Sequence, residues 1–401
     1  MSRNETQRAL VPKLRFPEFR GQPLHNICLG DVTAESKTRN ADELLASSVM
    51  GVRKGEGIVP MEERLVASDI ARYKLVQKNW FAYNPMRLNI GSIARYYHDD
   101  DVLVSPDYVV FRCLEEGASP GLLPDYLDHF RESNHWDAFV TEAGAGGVRV
   151  RIYYRMLAEL QLAVPDITEQ RRIADCLGSL DHLITAEGRK LEALREHKQG
   201  LMQRLFPREG ERQPRLRFPE FQHAMDWDSK SLEGVCDLKA GDFVRAAQIG
   251  EECGEGMFPC YGGNGLRGYV TTFTHSGRFV LIGRQGALCG NVNLFAGEFH
   301  ATEHALVANP RSGIQTDWLY YALTNLNLNR FATGQAQPGL SVTVLNSVGI
   351  FVPLDEDEQQ HIANCLSALD TRIVAQREKL DALRTHKRGL MQQLFPAPEV
   401  S

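Results

Sequence analysis

The sequence predicts an α+β protein built as a tandem repeat. Two variable domains alternate with two long helices, and the helices pair as an antiparallel coiled coil in a pseudo-two-fold symmetric arrangement. Three observations carry that expectation. The hexamer LRFPEF stands at Leu14–Phe19 and again at Leu216–Phe221. A 39-residue stretch, Glu169–Pro207, returns without a gap at Glu358–Pro396 with 24 positions identical. Both copies carry a seven-residue apolar repeat. Such a match at fixed offset is the mark of duplication, so the internal repeat frames everything else.

In chain order, the repeat sets these boundaries: a head segment at 1–21, a first variable domain at 22–165, and a long helix at 166–207. A linker with the second head follows at 208–223, then a second variable domain at 224–353, a second long helix at 354–396 and a tail at 397–401. Pro207 ends the first helix, the polar REGERQ run links it to the second hexamer, and Pro396 stops the second helix. The hexamers lie 202 residues apart and the helical stretches 189, so the first variable region is the longer by 13. Under two-fold symmetry the free first hexamer meets the end of the second helix as the linked second hexamer meets the end of the first. Phe16, Phe19, Phe218 and Phe221 then bury at those joints.

In the first helix Ile173, Leu177, Leu180, Ile184, Glu187, Leu191, Leu194, Lys198 and Leu201 are spaced alternately by four and three. The second repeats the seam at Ile362, Leu366, Leu369, Ile373, Gln376, Leu380, Leu383, Lys387 and Leu390. So narrow a stripe on a charged helix wants one partner helix, and the matching seam lies in the other copy. Glu187 and Gln376, at the seam midpoints, are expected to meet at the axis and fix the register.

Composition is that of an ordinary globular protein, with 43% hydrophobic and 24% charged residues. The opening MSRNETQRAL has no apolar core of a signal, and no run is long enough to span a bilayer. A cytoplasmic location is expected. Eight cysteines without a CxxC pair read as reduced and structural. The net charge of -6 shows no basic surplus, so any nucleic-acid contact rests on local basic stripes or on partner subunits.

The layout resembles the specificity subunit of Type I restriction-modification systems. The resemblance rests on LRFPEF at both heads, LGDV at Leu29–Val32, YGGNGLRGYV at Tyr261–Val270 and the paired helices that open on EQ and close on LMQ(R/Q)LFP. It implies that each variable region is a target recognition domain reading one half of a split double-stranded DNA sequence. The helices act as a spacer and dock two methyltransferase (modification) subunits, to which restriction/translocase subunits add. The chain itself is then non-catalytic and holds no cofactor; S-adenosylmethionine, ATP and Mg belong to the partner subunits, and no membrane is involved. One departure is Trp227, which follows the second hexamer but has no counterpart after the first.

Candidate DNA-binding residues fall in loops and on polar strand faces. GGVRVRI at Gly146–Ile152 aligns with PGLSVTV at Pro338–Val344. Read as strands, they turn Val148, Val150 and Ile152, and Leu340, Val342 and Val344, inward. Arg149 and Arg151 then face outward in one, Ser341 and Thr343 in the other. Arginine pairs with guanine, and Ser or Thr with either class of base edge. Gln335 and Gln337, in the GQAQPG turn, carry adenine-reading amides. RLNIGSIAR contributes Arg87, Asn89, Ser92 and Arg95, and its counterpart VLIGRQGALCGN contributes Arg284, Gln285 and Asn291. Asn264 and Arg267 in the YGGNGLRG turn complete the set. A solvated strand face or a plain turn remains the alternative for each.

Three other motifs point elsewhere and fail on context. Gly263, Gly265 and Gly268 match GxGxxG, but the segment continues as a strand rather than opening a helix. His300, Glu303 and His304 spell HxxEH, yet the segment reads as extended, where two histidines four apart do not converge on zinc. Asn84-Pro85-Met86 lacks the second proline and the aromatic of an amino-methyltransferase loop. The rivals to the DNA-recognition reading are a self-sufficient methyltransferase or nuclease, and a coiled-coil scaffold without a DNA role.

Overall fold

A computed structural model describes residues 11–41, 43–62, 65–114, 120–144, 151–263, 265–286, 288–334 and 338–395. The chain divides into two compact units, residues 1–187 with 379–401, and residues 188–378. Each contains one variable domain and a stretch of each long helix. The long helices are Ile167–Leu205 and Glu356–Leu394, of 39 residues each.

In the first unit Thr33–Ser36, Val109–Cys113, Phe81–Tyr83 and Ile93–Arg95 form an antiparallel sheet in that order. Phe81–Tyr83 is buried at all three positions, as a short apolar run between turns should be. Phe81 stacks on Phe111 at 5.2 Å between ring centroids. Leu29, Tyr83, Leu122, Tyr126 and Ile152 extend that core. Met50–Arg53 pairs with Gly57–Pro60, and Lys74–Val76 with Val102–Val104, as two antiparallel ribbons.

In the second unit six strands run in the order Cys236–Ala240, Ala305–Pro310, His275–Gly283, Val292–Ala301, Phe258–Gly262 and Gly265–Val270. Only the contact of Phe258–Gly262 with Val292–Ala301 is parallel among the strand pairs described there. The first and last strands of each domain close on each other: His25–Cys28 on Gln161–Val164, and Asp228–Ser231 on Gly349–Val352. A short helix follows each opening strand and is held alike, Leu29 N–H donating to Leu160 O at 2.8 Å and Leu232 N–H to Val348 O at 2.9 Å. The missing tryptophan therefore leaves the start of the first domain in the same pairing as the second.

The duplicated ends make duplicated joints. Arg15 donates through Nε to Glu169 Oε1 at 2.9 Å and through a second N–H to Oε2. Arg217 grips Glu358 in the same fork, both bonds 2.7 Å. The neighbouring glutamines repeat as well: Gln170 accepts from Leu123 N–H and donates to Gly121 O and Pro165 O. Gln359 accepts from Gln315 N–H and donates to Gly313 O and Pro353 O. Leu14 N–H donates to Gln393 O at 3.0 Å, as Leu216 N–H does to Arg204 O at 2.8 Å. The free hexamer thus meets the end of the second helix, as the repeat predicts. Of its aromatic residues and those of its copy, only Phe221 is fully buried. Arg172 lies over the Phe16 ring, and the equivalent His361 packs on Phe218 and Phe221.

All eighteen seam positions are off the exposed class while most intervening positions are exposed, which bears out the heptad reading. Within the first unit, Ile173 and Leu177 near the start of one helix share a core with Met391 and Leu394 near the end of the other. Within the second, Leu205 and Ile362 do so. The pairing is antiparallel in both. The polar seam lysines mark its register: Lys387 meets Asp181 at 2.7 Å and Lys198 meets Asp370 at 2.6 Å, so a shift of 17 along one helix is matched by 17 back along the other. At mid-seam Glu187 takes the Lys379 ammonium at 2.5 Å, and Gln376 is buried.

Burial works against the Lys387 ammonium, yet Asp181 and Glu132 outweigh it and hold its pKa above the usual lysine value. Burial first, and Lys387 second, hold the neighbouring His129 imidazole below its ordinary pKa, against the opposing pull of Asp181, Asp128 and Glu132. A base with a depressed folded pKa leaves the unfolded chain binding more protons below about pH 6.5. Stability contributed by neutral His129 is present above that value and is lost as pH falls toward the folded pKa. His129→Asn should flatten the loss of melting temperature between pH 6.5 and 5; an unchanged slope would show that other groups govern it.

One expected element is absent. Val342–Asn346 is a short helix, not a strand, and Val344 is exposed. Leu345 and Val348, three apart, face the core together with Leu340, a spacing a strand cannot bury on one face. In the first copy, Arg151 and Ile152 are likewise outside any strand and lead into the helix Tyr154–Leu157. Arg149, with the rest of 145–150, lies outside the described residues.

Candidate nucleic-acid interface

Two loops, one per domain, share a backbone frame. In the first, Asn84 N–H donates to Ser92 O at 3.2 Å, and in the second Gly283 N–H donates to Asn291 O at 2.8 Å. The penultimate residue is glycine at φ +85 in both, Gly91 and Gly290. A side chain at Gly290 would also bring its Cβ to 2.4 Å from Asn329 N, so that position needs glycine twice over. Each loop is clasped by the segment after the variable stretch: Ile152 N–H donates to Pro85 O at 3.0 Å, and Leu340 N–H to Arg284 O at 2.9 Å. Ile152 therefore corresponds to Leu340, and the sequence alignment that set it against Val344 is four residues out of register.

On this common frame the side chains differ. Arg87 and Asn89 are exposed on the first loop. Gln285 and Asn291 are exposed on the second, and Arg284 is half-buried. The clasping segments bring exposed Arg151 beside the first loop, and exposed Ser341 and Thr343 beside the second. Arg267 is exposed on the adjacent strand Gly265–Val270. No hydrogen bond or ion pair of the Arg87, Arg267 or Arg284 side chains is formed among the described residues. Cations left open on a loop can take phosphates or guanine edges.

Two expected contacts are instead taken up inside the protein. Ser92 is buried and gives its hydroxyl to Val52 O at 3.3 Å. Arg95 is 6% exposed; it donates to Asp125 at 2.6 Å and to Asn79 at 2.6 and 3.1 Å, and lies over the Tyr97 ring. Ser92 stands at the foot of the loop and Arg95 on the strand Ile93–Arg95 that follows, both buried. Asn264, Gln335 and Gln337 lie outside the described residues.

One basic element lies outside the candidates that the sequence offers. Arg53 and Lys54 form the tip of the hairpin Met50–Pro60, and the Lys54 stem lies 3.4 Å from where a Gly91 Cβ would stand. With Asn89 and Arg131 they border an open groove of ≈ 790 Å³. The alternation around KGEG, a turn between two short apolar runs, was the available signal.

The glycine-rich and histidine motifs lie on strands and the turn between them. The glycine-rich run is the hairpin of Phe258–Gly262 and Gly265–Val270. His300 ends a strand and lies near Asp242 O at 3.4 Å, while His304 turns to Gln285. Among the described residues no group of three His, Cys, Asp or Glu could hold a metal ion. Asn84 accepts from Met86 N–H in a local turn. All eight cysteines are free thiols, and burial pushes Cys236 up to about 12 and raises Cys260 and Cys289, which keeps them protonated. No helix among the described residues is long and apolar enough to cross a membrane.

Residues 225–384 match the family model of the Type I restriction modification DNA specificity domain. Over 143 residues the chain is 47% identical to the Type I restriction enzyme EcoprrI specificity subunit of Escherichia coli, covering 35% of either protein. It is 22% identical over 349 residues to the putative type I restriction enzyme MjaX specificity subunit of Methanocaldococcus jannaschii, covering 83% of this chain and 81% of that one. The matched stretch spans about a third of the E. coli relative, and 30% of a similar Haemophilus influenzae one. The fold matches that of a Type-I restriction-modification S subunit from M. genitalium with a TM-score of 0.65 at 16% identity, over 98% of this chain and all of that one.

Proposed function

We propose that this chain, which belongs with the specificity subunits of Type I restriction-modification systems, reads a split DNA sequence for methyltransferase subunits that dock on it. The observation that carries the reading is the pair of loops at 84–92 and 283–291, alike in backbone and different in exposed side chains. Two readers descended from one, each tuned to its own half-site, would keep the frame and change the contacts. The first variable domain, 22–165, takes one half of the target, and the second, 224–353, takes the other. Each long helix spans about 58 Å at 1.5 Å per residue. Together they join the readers and set the number of unread base pairs, as subunit spacing does in dimeric regulators.

In this reading the chain is a non-catalytic, cytoplasmic subunit. Methyl transfer and ATP-driven cleavage belong to the methyltransferase and restriction subunits, with S-adenosylmethionine, ATP and Mg. The acidic balance of the chain, -6, fits an assembly in which those partners supply much of the phosphate-facing charge.

Arg87→Ala should relax one base of the first half-site, at about 1–3 kcal/mol of discrimination, and leave the second half-site as it was. Competition binding of the assembled complex to single-base variants of the target reads this. A uniform loss across all sequences, with the salt slope lower by about one, would place Arg87 on a phosphate instead.

A further inference from the structure

We propose that His304 and Glu303, in the turn between Val292–Ala301 and Ala305–Pro310, position Gln285 to read one adenine in the half-site of the second domain. This rests on DNA reading by that domain, as proposed above. Gln285 is exposed, and among the described residues its side chain has one hydrogen-bond partner, His304 Nδ1 at 3.2 Å. The same ring turns Nε2 to Glu303 Oε1, also at 3.2 Å. The imidazole lies between the Glu303 carboxylate and the Gln285 amide, and its contact limits the rotation of that amide.

The other Glu303 oxygen, Oε2, is shut off from water and has no hydrogen-bond partner. An unpaired buried acceptor is unfavourable and calls for a reason. Holding the His304 ring in place supplies one; a plain turn would not.

The backbone beneath Gln285 is locked as well. Arg284 N–H donates to His304 O at 2.9 Å, and Gln285 bridges to Gly339. Close approach depends on glycine: a Cβ at Gly283 would lie 2.6 Å from Gly263 O, and one at Gly263 2.8 Å from His304 O. Gln285 therefore stands on a platform of joined segments. A free glutamine loses rotamer entropy when it binds, and the histidine contact removes part of that loss beforehand. Its paired acceptor and donor match N6 and N7 of adenine in the major groove.

The test assembles the parent chain, Gln285→Ala, His304→Ala, Glu303→Gln and the Gln285→Ala/His304→Ala double variant with the methyltransferase subunits. Methylation rates are compared on duplexes that vary the target one base at a time. Gln285→Ala and His304→Ala should lose preference for the same single adenine of the second half-site, by roughly five- to a hundredfold. The double variant should be no worse than Gln285→Ala alone, because His304 acts through Gln285. Glu303→Gln should lose less at that base, with the first half-site and spacer unchanged. Unchanged preference, losses at different bases, or additive losses would overturn the proposal. A parent complex that reads no split sequence would overturn the DNA-reading assignment itself, which keeps the two failures apart. If His304→Ala fails to fold, the isosteric Glu303→Gln decides between the same outcomes.

Discussion

Glu358→Ala destabilises the second unit by about 3–5 kcal/mol, the largest loss expected of any single substitution here. The carboxylate is 1% exposed and accepts two N–H bonds from Arg217, itself 8% exposed. It also accepts from the buried Trp227 indole at 3.2 Å. Removing it leaves the guanidinium only the Ala224 and Met225 carbonyls and strands the indole N–H away from water, and a buried charge without its counter-ion is poorly compensated. Glu169→Ala in the first unit leaves Arg15 in the same position but strands no tryptophan, so it should be less severe. An apolar pair, Arg217→Met with Glu358→Leu, should recover part of the loss, because it removes the stranded charge and leaves only the Trp227 indole N–H unpaired. Hydrogen exchange by mass spectrometry, which resolves the two units, reads all of these. If Glu358→Ala were as stable as the parent, the joint would be only a crystal-like surface contact of little worth.

Deleting one heptad from each helix, residues 184–190 and 373–379, is expected to shorten the unread spacer while leaving both half-sites intact. The two segments are equivalent in the repeat, and a seven-residue cut keeps the seam in phase. It removes about 10 Å of helix, on the order of three base-pair steps at 3.4 Å each. The helices turn the readers by only about 20°, whereas three base pairs turn the duplex by about 100° at roughly 10–10.5 bp per turn, so twist or bending of the bound spacer must take up the difference. Selection of bound duplexes from a library with spacers of every length shows the preference directly. A complex that kept the parent spacer would show that the helices are not the ruler.

What the sequence made legible was whatever is local and repeated. The seam at Ile173 to Leu201 follows from spacing alone, since a helix face depends only on residues three and four apart, and its duplicate named its partner. The joints were only partly visible. The hexamer was recognisable as architectural, but Arg15 is 154 residues from Glu169 and Arg217 is 141 from Glu358, and no periodicity links them. The segment Leu340 to Val344 reads as a strand in the sequence because alternation over so few residues does not separate a strand from one helical turn. Among the candidate contacts, loop position separates the side chains left exposed from those taken up by the fold. Arg87 and Asn89 at the tip are open, whereas Ser92 and Arg95 at the foot fold back onto Val52, Asn79 and Asp125. Which arginine is consumed by the fold depends on those distant partners, and composition carries no trace of them.

The central claim is that two domains of one chain each read half of a split target. Its most direct test is to express the chain with the methyltransferase subunits proposed to dock on it, in a host lacking the system, and to map modified adenines by single-molecule sequencing. The map is repeated after replacing residues 224–353 with the corresponding domain of a relative. The account predicts one bipartite motif for the parent, and for the exchanged chain a motif altered in one half only, with the same spacer. A contiguous motif, a change in both halves, or methylation by the chain without its partners would contradict it.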